Sequence, residues 1–300
     1  MSSVAAAQRT PLRRLTRLHA ESGLSVPTLL GIVLVAGCIA AAMASFFLQD
    51  AAYTTDLPDR LLPPLGFGGV RNHLLGTDSL GRDVLARIAV GLRISLQIAV
   101  VSVFIAGTAG VIAGVLAGYV GGWFDDLVMR FADAVLAIPL VLLAITVVAV
   151  TGSGIDKLVA VIAFSQWMTY ARTSRGETLV VKQQQFVLAG RAIGARAWWI
   201  VLRHVLPHVA PSATVLATLN ISAVILLEAG LSYLGLGVQL PNPSLGSMLT
   251  EGQQYVSRAP WLAILPGMAL FLLIMGVNLV GEGVRARLDP HGRSNFTKPL

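Results

Sequence analysis

Carboxylates and imidazoles inside apolar surroundings are where this chain could do chemistry. Glu228 stands within a long apolar run, Asp133 within another, and Glu282 at the end of a third. A carboxylate at mid-membrane depth costs roughly 2.5–3.5 kcal/mol on insertion scales, so each needs a protein partner or water. Asp133 follows Arg130 by three residues, and the spacing predicts a local ion pair. Glu228 either lines a pathway or hydrogen-bonds within a helix bundle, and the residues alone leave both readings open. Glu282 and Arg285 read as boundary residues, solvated or bound to a neighbouring loop. His204 and His208 are spaced i, i+4, which could set two metal ligands on one helix face. Pro207 lies between them and no Cys or carboxylate adjoins, so they read as polar residues at a helix–membrane junction. The single cysteine, Cys38, permits no disulfide and no Cys-based metal site within the chain. No phosphate-binding G-x-x-x-x-G-K-[ST] loop and no H-E-x-x-H motif occurs, so ATP binding by that loop is not expected of this chain.

The elements that must position these residues are membrane helices. Of 300 residues, 55% are hydrophobic and 12% charged, against about 25% charged in soluble domains. The net charge of +7 is scattered through short loops. It makes no single basic face of the kind that binds nucleic acid. Val35-Ala36-Gly37-Cys38 resembles a lipoprotein processing site. Further apolar runs follow it, so the first is read as an uncleaved helix.

About 20 residues cross a hydrocarbon core of roughly 30 Å. On that measure six spans are expected, at about residues 26–48, 94–118, 127–150, 158–171, 209–236 and 260–280. They divide the chain into a polar arm (1–25), a transmembrane domain (26–284) and a tail (285–300). Gly110, Gly114 and Gly118 fall on one face of the second span, where they let another helix approach closely. Pro139 and Pro266 each remove a helix hydrogen bond and permit a kink. Fifteen Lys and Arg fall in the arm, the 119–130 turn, the 172–208 loop and the tail, against six in the opposite loops. The positive-inside rule then sets both termini and the 172–208 loop in the cytoplasm.

One polar segment between spans is still patterned as a helix. Phe186–Pro207, FVLAGRAIGARAWWIVLRHVLP, carries Arg191, Arg196 and Arg203 among Phe186, Trp198 and Trp199. Gly194 divides it, and Pro207 is expected to end it. The pattern fits a docking surface for another protein, its aromatics as anchors. It also fits a helix lying on the membrane, with Trp at the headgroups.

The same segment resembles the EAA loop of ABC importer permeases. Leu188, Ala189 and Gly190 fill the E-A-A places, Gly194, Leu206 and Pro207 match, and His204 takes the place of isoleucine. His73–Asp83, HLLGTDSLGRD, is similar to the H-P-L-G-T-D-x-x-G-R-D signature of the peptide-importer group, with Gly76, Thr77, Asp78, Gly81, Arg82 and Asp83 in place. Glu228–Gly237, EAGLSYLGLG, resembles its E-x-x-L-S-F-L-G-L-G and contains Ser232 and Tyr233. Arg203–Pro207 is close to its R-H-I-L-P, and residues 278–290 to its closing N-L-x-G-D-G-L-R-x-x-L-D-P. In PNPSLG (241–246), Leu245 replaces the usual Trp.

The resemblance implies an all-α permease of the type I ABC importer fold, the C-type subunit of a dipeptide or oligopeptide importer. Phe186, Leu188, Ala189, Gly190, Arg191, Gly194, Arg196, Leu206 and Pro207 would dock an ATPase subunit through a short coupling helix. Gly190 and Gly194, four apart, would leave one face of that helix low. Glu228, Ser232 and Tyr233 are the candidate pathway or gate residues. The implied partners are a homologous second permease, two ATPase subunits, an extracytoplasmic binding protein, a peptide cargo and the lipid bilayer of a bacterial plasma membrane. ATP and magnesium would belong to the ATPases, and this chain would bind no cofactor. Nickel or another small solute is the alternative cargo. An ion-coupled secondary transporter is the rival mechanism, for which Glu228 alone is suitably placed.

Overall fold

In the computed structural model, residues 25–65, 68–69 and 73–288 are described. The expected arm lies outside them except for Ser25, as does the tail beyond Leu288. The described residues form helices and no β-strand, with one isolated bridge between Thr77 and Asp83.

The helices follow in order: α1 Val26–Ala44, α2 Gln49–Tyr53, α3 Val84–Val120, α4 Gly122–Leu136, α5 Leu140–Thr151, α6 Ile155–Val181, α7 Gln185–Ala192, α8 Ala197–Ile200, α9 Leu206–Tyr233, α10 Leu245–Gln253 and α11 Trp261–Leu288. A π turn, Val201–Val205, joins α8 to α9.

The spine is α3, 37 residues long and therefore about 55 Å at 1.5 Å per residue. It starts ten residues before the expected span because Asp83 caps it, its Oδ1 accepting from the Ala86 N–H at 2.9 Å. The glycine stripe does what its spacing predicts. A Cβ at Gly110 would stand 2.2 Å from the Trp167 carbonyl oxygen, and one at Gly114 2.2 Å from that of Ala171. At Gly118 it would stand 2.9 Å from the Arg175 oxygen. The backbones of α3 and α6 thus meet almost directly. A second close approach joins α1 to α11, where a Cβ on Gly31 would meet Leu279 at 2.7 Å.

Four expectations need correction. The third span is not one helix. Pro139 precedes α5, and α4 and α5 meet at 84°. A residue without an N–H and with fixed φ breaks the helix here instead of bending it. The helix of the expected fourth span, α6, runs ten residues past Ala171, into the stretch assigned to the 172–208 loop. Its polar end persists because it is paired. Arg175 donates to Asp125 through Nε (2.5 Å) and Nη2 (2.7 Å), and Arg172 donates to Asp133. Asp133 therefore pairs across two helices and not with Arg130. Nor does Pro207 end a helix. α8, the π turn and α9 run continuously from Ala197 to Tyr233. The Leu206 N–H bonds the Val201 carbonyl five residues back, and this wider turn leads into a first turn that needs no proline donor.

Among the described residues four helices are long and apolar enough to cross a membrane, counting α8–α9 as one, and five if the bent α4–α5 pair is taken as one span. A larger side chain at the α3–α6 contact should be costly. Gly114→Val is expected to lower stability by at least ~1–3 kcal/mol, since overpacking here meets backbone. Gly37→Val, where a Cβ meets nothing within 4 Å, should be nearly neutral. Thermal unfolding in detergent compares the two.

Candidate functional site

Two polar constellations sit at opposite ends of α3. At its C-terminal end lies α7. Its sequence gives it one inward edge, Val187 and Gly190, both buried. Val187 joins Val115, Ile200, Val205 and Val209 in a small separate core. The turn after α7 is a Schellman motif. The Gly194 N–H donates to the Arg191 carbonyl and the Ala195 N–H to that of Gly190, both at 3.0 Å. Gly194 stands at φ +79°, a conformation that a side chain would strain.

Ring contacts hold α7 at both ends. Phe186 stacks on His208, with centroids 5.1 Å apart and planes at 21°, and lies 5.7 Å from His204. Trp199 meets His204 edge-on at 5.1 Å. The Arg191 guanidinium lies 4.8 Å above the Tyr119 ring. His208 Nδ1 is 2.6 Å from the His204 carbonyl oxygen. The two histidines thus serve as rings that pack α7 against the start of α9. Lys182 donates to the Gly118 carbonyl at 2.7 Å, closing the C-terminal end of α3.

What α7 leaves exposed is an apolar and basic surface. Leu188, Ala189, Arg191 and Arg196 are exposed, Ile193 is 85% exposed and Trp198 59%. Two residues expected on this face are elsewhere. Gly190 turns inward, where a Cβ would lie 3.9 Å from Ile200. Leu206 faces a groove between α3 and α9. The low face of the helix is therefore its attachment to the rest of the chain. Pro207 is exposed in the first turn of α9.

At the N-terminal end of α3 the signature His73–Asp83 forms a closed, buried network. Asp78 Oδ1 accepts from the Leu80 and Arg82 N–H groups at 2.8 and 3.0 Å. Its Oδ2 accepts from Arg82 Nε at 2.7 Å and from Arg87 Nη1. Arg87, 1% exposed, also donates to both oxygens of Glu251 on α10, at 2.8 and 3.0 Å. Two guanidinium groups and two carboxylates balance in charge, as buried ions must. Thr77 accepts from the Leu62 N–H at 2.8 Å and donates to the Asp59 carbonyl at 2.5 Å. His73 Nδ1 lies 2.9 Å from Asp83 Oδ2. Gly76 and Gly81 take positive φ, and a Cβ on Gly81 would fall 1.7 Å from the Asp56 oxygen. The signature is thus a folding motif that fastens a loop to α3 and α10.

Glu228 is fully buried. It accepts from Ser95 on α3 and from Ser232, each at 2.7 Å. Ser232 in turn accepts from the Val238 N–H at 3.1 Å. Tyr233 is 41% exposed and donates to Gln253 at 2.7 Å. Arg87, Glu251, Ser95 and Tyr119 went unread in the sequence. Only a spatial neighbour reveals them, since Glu251 lies 164 residues from Arg87.

Arg87→Leu is expected to cost about 3 kcal/mol, because it leaves buried Asp78 with Arg82 as its one remaining guanidinium and takes the bidentate partner from half-buried Glu251. Glu251→Gln keeps an acceptor and should cost less. Chemical denaturation in detergent measures both.

The chain is similar to known proteins. Residues 110–293 match the family described as binding-protein-dependent transport system inner membrane component. The glutathione transport system permease protein GsiD of Escherichia coli O6:K15:H31 is 46% identical over 226 residues, 75% of each chain. GsiD of Shigella boydii serotype 4 gives the same figures. Among solved structures, a chain of the inward-facing MetNI methionine ABC transporter matches with a TM-score of 0.54 at 20% identity. That match covers 66% of this chain and 94% of the other.

Proposed function

The chain belongs to the family of binding-protein-dependent transport system inner membrane components, the permeases of ABC importers, and we propose that α7 is the element through which its ATPase drives it. The observation that carries this reading is the division of α7. Val187 and Gly190 bind it to the ends of α3 and α9, while Leu188, Ala189 and Ile193 face away from the chain and Arg191, exposed but lying over Tyr119, edges them. An apolar patch edged by arginines suits a groove with an acidic rim on another protein. Gly194 and its Schellman turn set the angle at which α7 leaves the body. Phe186, Arg196 and Pro207 flank the surface.

Both termini and α7 are cytoplasmic, and the His73–Asp83 network faces the binding protein's side. The excess of Lys and Arg at the α7 end supports this orientation. In our reading α6, the expected fourth span, brings the number of spans to six. At 27 residues it reaches about 40 Å, and its charged end stays at the surface through Asp125 and Asp133. A homologous second permease completes the pathway. Two ATPase subunits bind and hydrolyse ATP with magnesium, and this chain performs no covalent step. The binding protein delivers short peptides, of which glutathione-like peptides are the first to test, given the relatives' named transport system. Glu228, Ser232 and Tyr233 act in our scheme as a brace between α3, α9 and α10. Pathway opening moves them as a unit. The brace leaves Glu228 no open side for ion coupling.

Leu188→Asp tests the docking surface. Leu188 is half exposed and outside the small core, so the variant should insert normally. It is expected to lose co-purification of the ATPase and peptide uptake together. Undiminished co-purification and uptake would mean that the ATPase docks elsewhere.

A further inference from the structure

The helix α7 is only eight residues long and buries one side chain, Val187, in the body of the chain. A helix held at one point can roll or slide. What prevents this is a contact at each end. Phe186 in the first turn stacks on His208 of α9. Arg191 in the last turn lies over Tyr119 of α3. Five residues separate them, about 7.5 Å along the helix.

These two contacts reach different helices, and those helices form the walls of one groove. It has a volume of about 610 Å³. Phe104 and Gly107 of α3 face Ala213, Thr214 and Ala217 of α9 across it, with Tyr170 of α6 beside them. Leu206 lines it too, next to the π turn. α7 therefore bridges the α3 and α9 walls near that end.

We propose that Phe186–His208 and Arg191–Tyr119 are two fasteners that convert displacement of α7 into a change in the α3–α9 spacing, which makes His208 and Tyr119 positioning residues for transport. The inference rests on the reading of α7 as the ATPase-docking helix. The π turn supports it, because α8, the turn and α9 are continuous. A pull on Phe186 passes through the His208 ring into α9, while Trp199 on α8 holds His204. A pull on Arg191 passes to the last turn of α3, which Lys182 also ties to α6. Neither His208 nor Tyr119 lies on the exposed face of α7. Their loss should leave the ATPase bound and cut its effect.

The test uses the complete importer reconstituted in liposomes, with Cys38→Ser and spin labels at Phe104→Cys and Ala213→Cys. His208→Ala and Tyr119→Leu are compared with His208→Phe and Tyr119→Phe, which keep a ring. The alanine and leucine variants should retain the ATPase and lose at least about five-fold in peptide carried per ATP hydrolysed, the low end of coupling between sites. Their label separation should no longer follow ATP binding, whereas both phenylalanine variants should behave as the parent. Uptake per ATP unchanged in the alanine and leucine variants would overturn the proposal. So would a label separation that ignores ATP in the parent, or phenylalanine variants as impaired as the others. If the Leu188→Asp importer kept its ATPase and its uptake, the docking reading itself would fall, and the two failures are thereby told apart.

Discussion

The near contact of backbone with backbone along Gly110, Gly114 and Gly118 is the constraint on which the rest depends. In a membrane, apolar side chains gain little by leaving lipid for each other, so helices associate through close packing and polar contacts. Removing three side chains from one face of α3 lets α6 lie against it. That placement brings Lys182 to the end of α3 and Arg175 and Arg172 to Asp125 and Asp133. It also sets the helix that follows α6 beside the end of α3, where the last turn of α7 meets Tyr119.

The two ends of the bundle are built by different physics. At the start of α3, buried ions of both signs close on one another and on backbone N–H groups. Such a network has one good geometry, and partial opening would strand charge in a low dielectric. At the other end, α7 is held by ring stacking, a guanidinium over a ring and one small apolar core. Those contacts tolerate small displacements with modest loss. A rigid end and an adjustable end on one spine suit a permease that must move in response to a partner.

Local sequence misleads for residues whose partners are distant in the chain. Asp133 had a plausible neighbour in Arg130, three residues away, yet Arg172 reaches it across the bundle. Residues beyond Ala171 were too polar for a span, yet two ion pairs keep them helical. Pro207 carried the usual sign of a helix end, and the π turn absorbed it. Gly190 was legible as a small residue, but not which side of α7 it faced. In each case a tertiary contact outweighed a local preference.

By itself, the sequence determined the class of molecule. Hydropathy required membrane helices, glycine spacing required a close helix pair, and five motifs in order identified an importer permease. These signals are local or periodic, so they survive without coordinates. The tertiary structure decided which residues face outward and which bind the chain to itself. It turned the His73–Asp83 signature into a buried clasp closed by Glu251, and Glu228 into a brace with Ser95. It also turned His204 and His208 into rings that hold Phe186. The physical reason is common to all of these. The cost of a buried charge or an unsupported helix is met only by groups that folding brings within reach, and their spacing in the chain carries no trace of that.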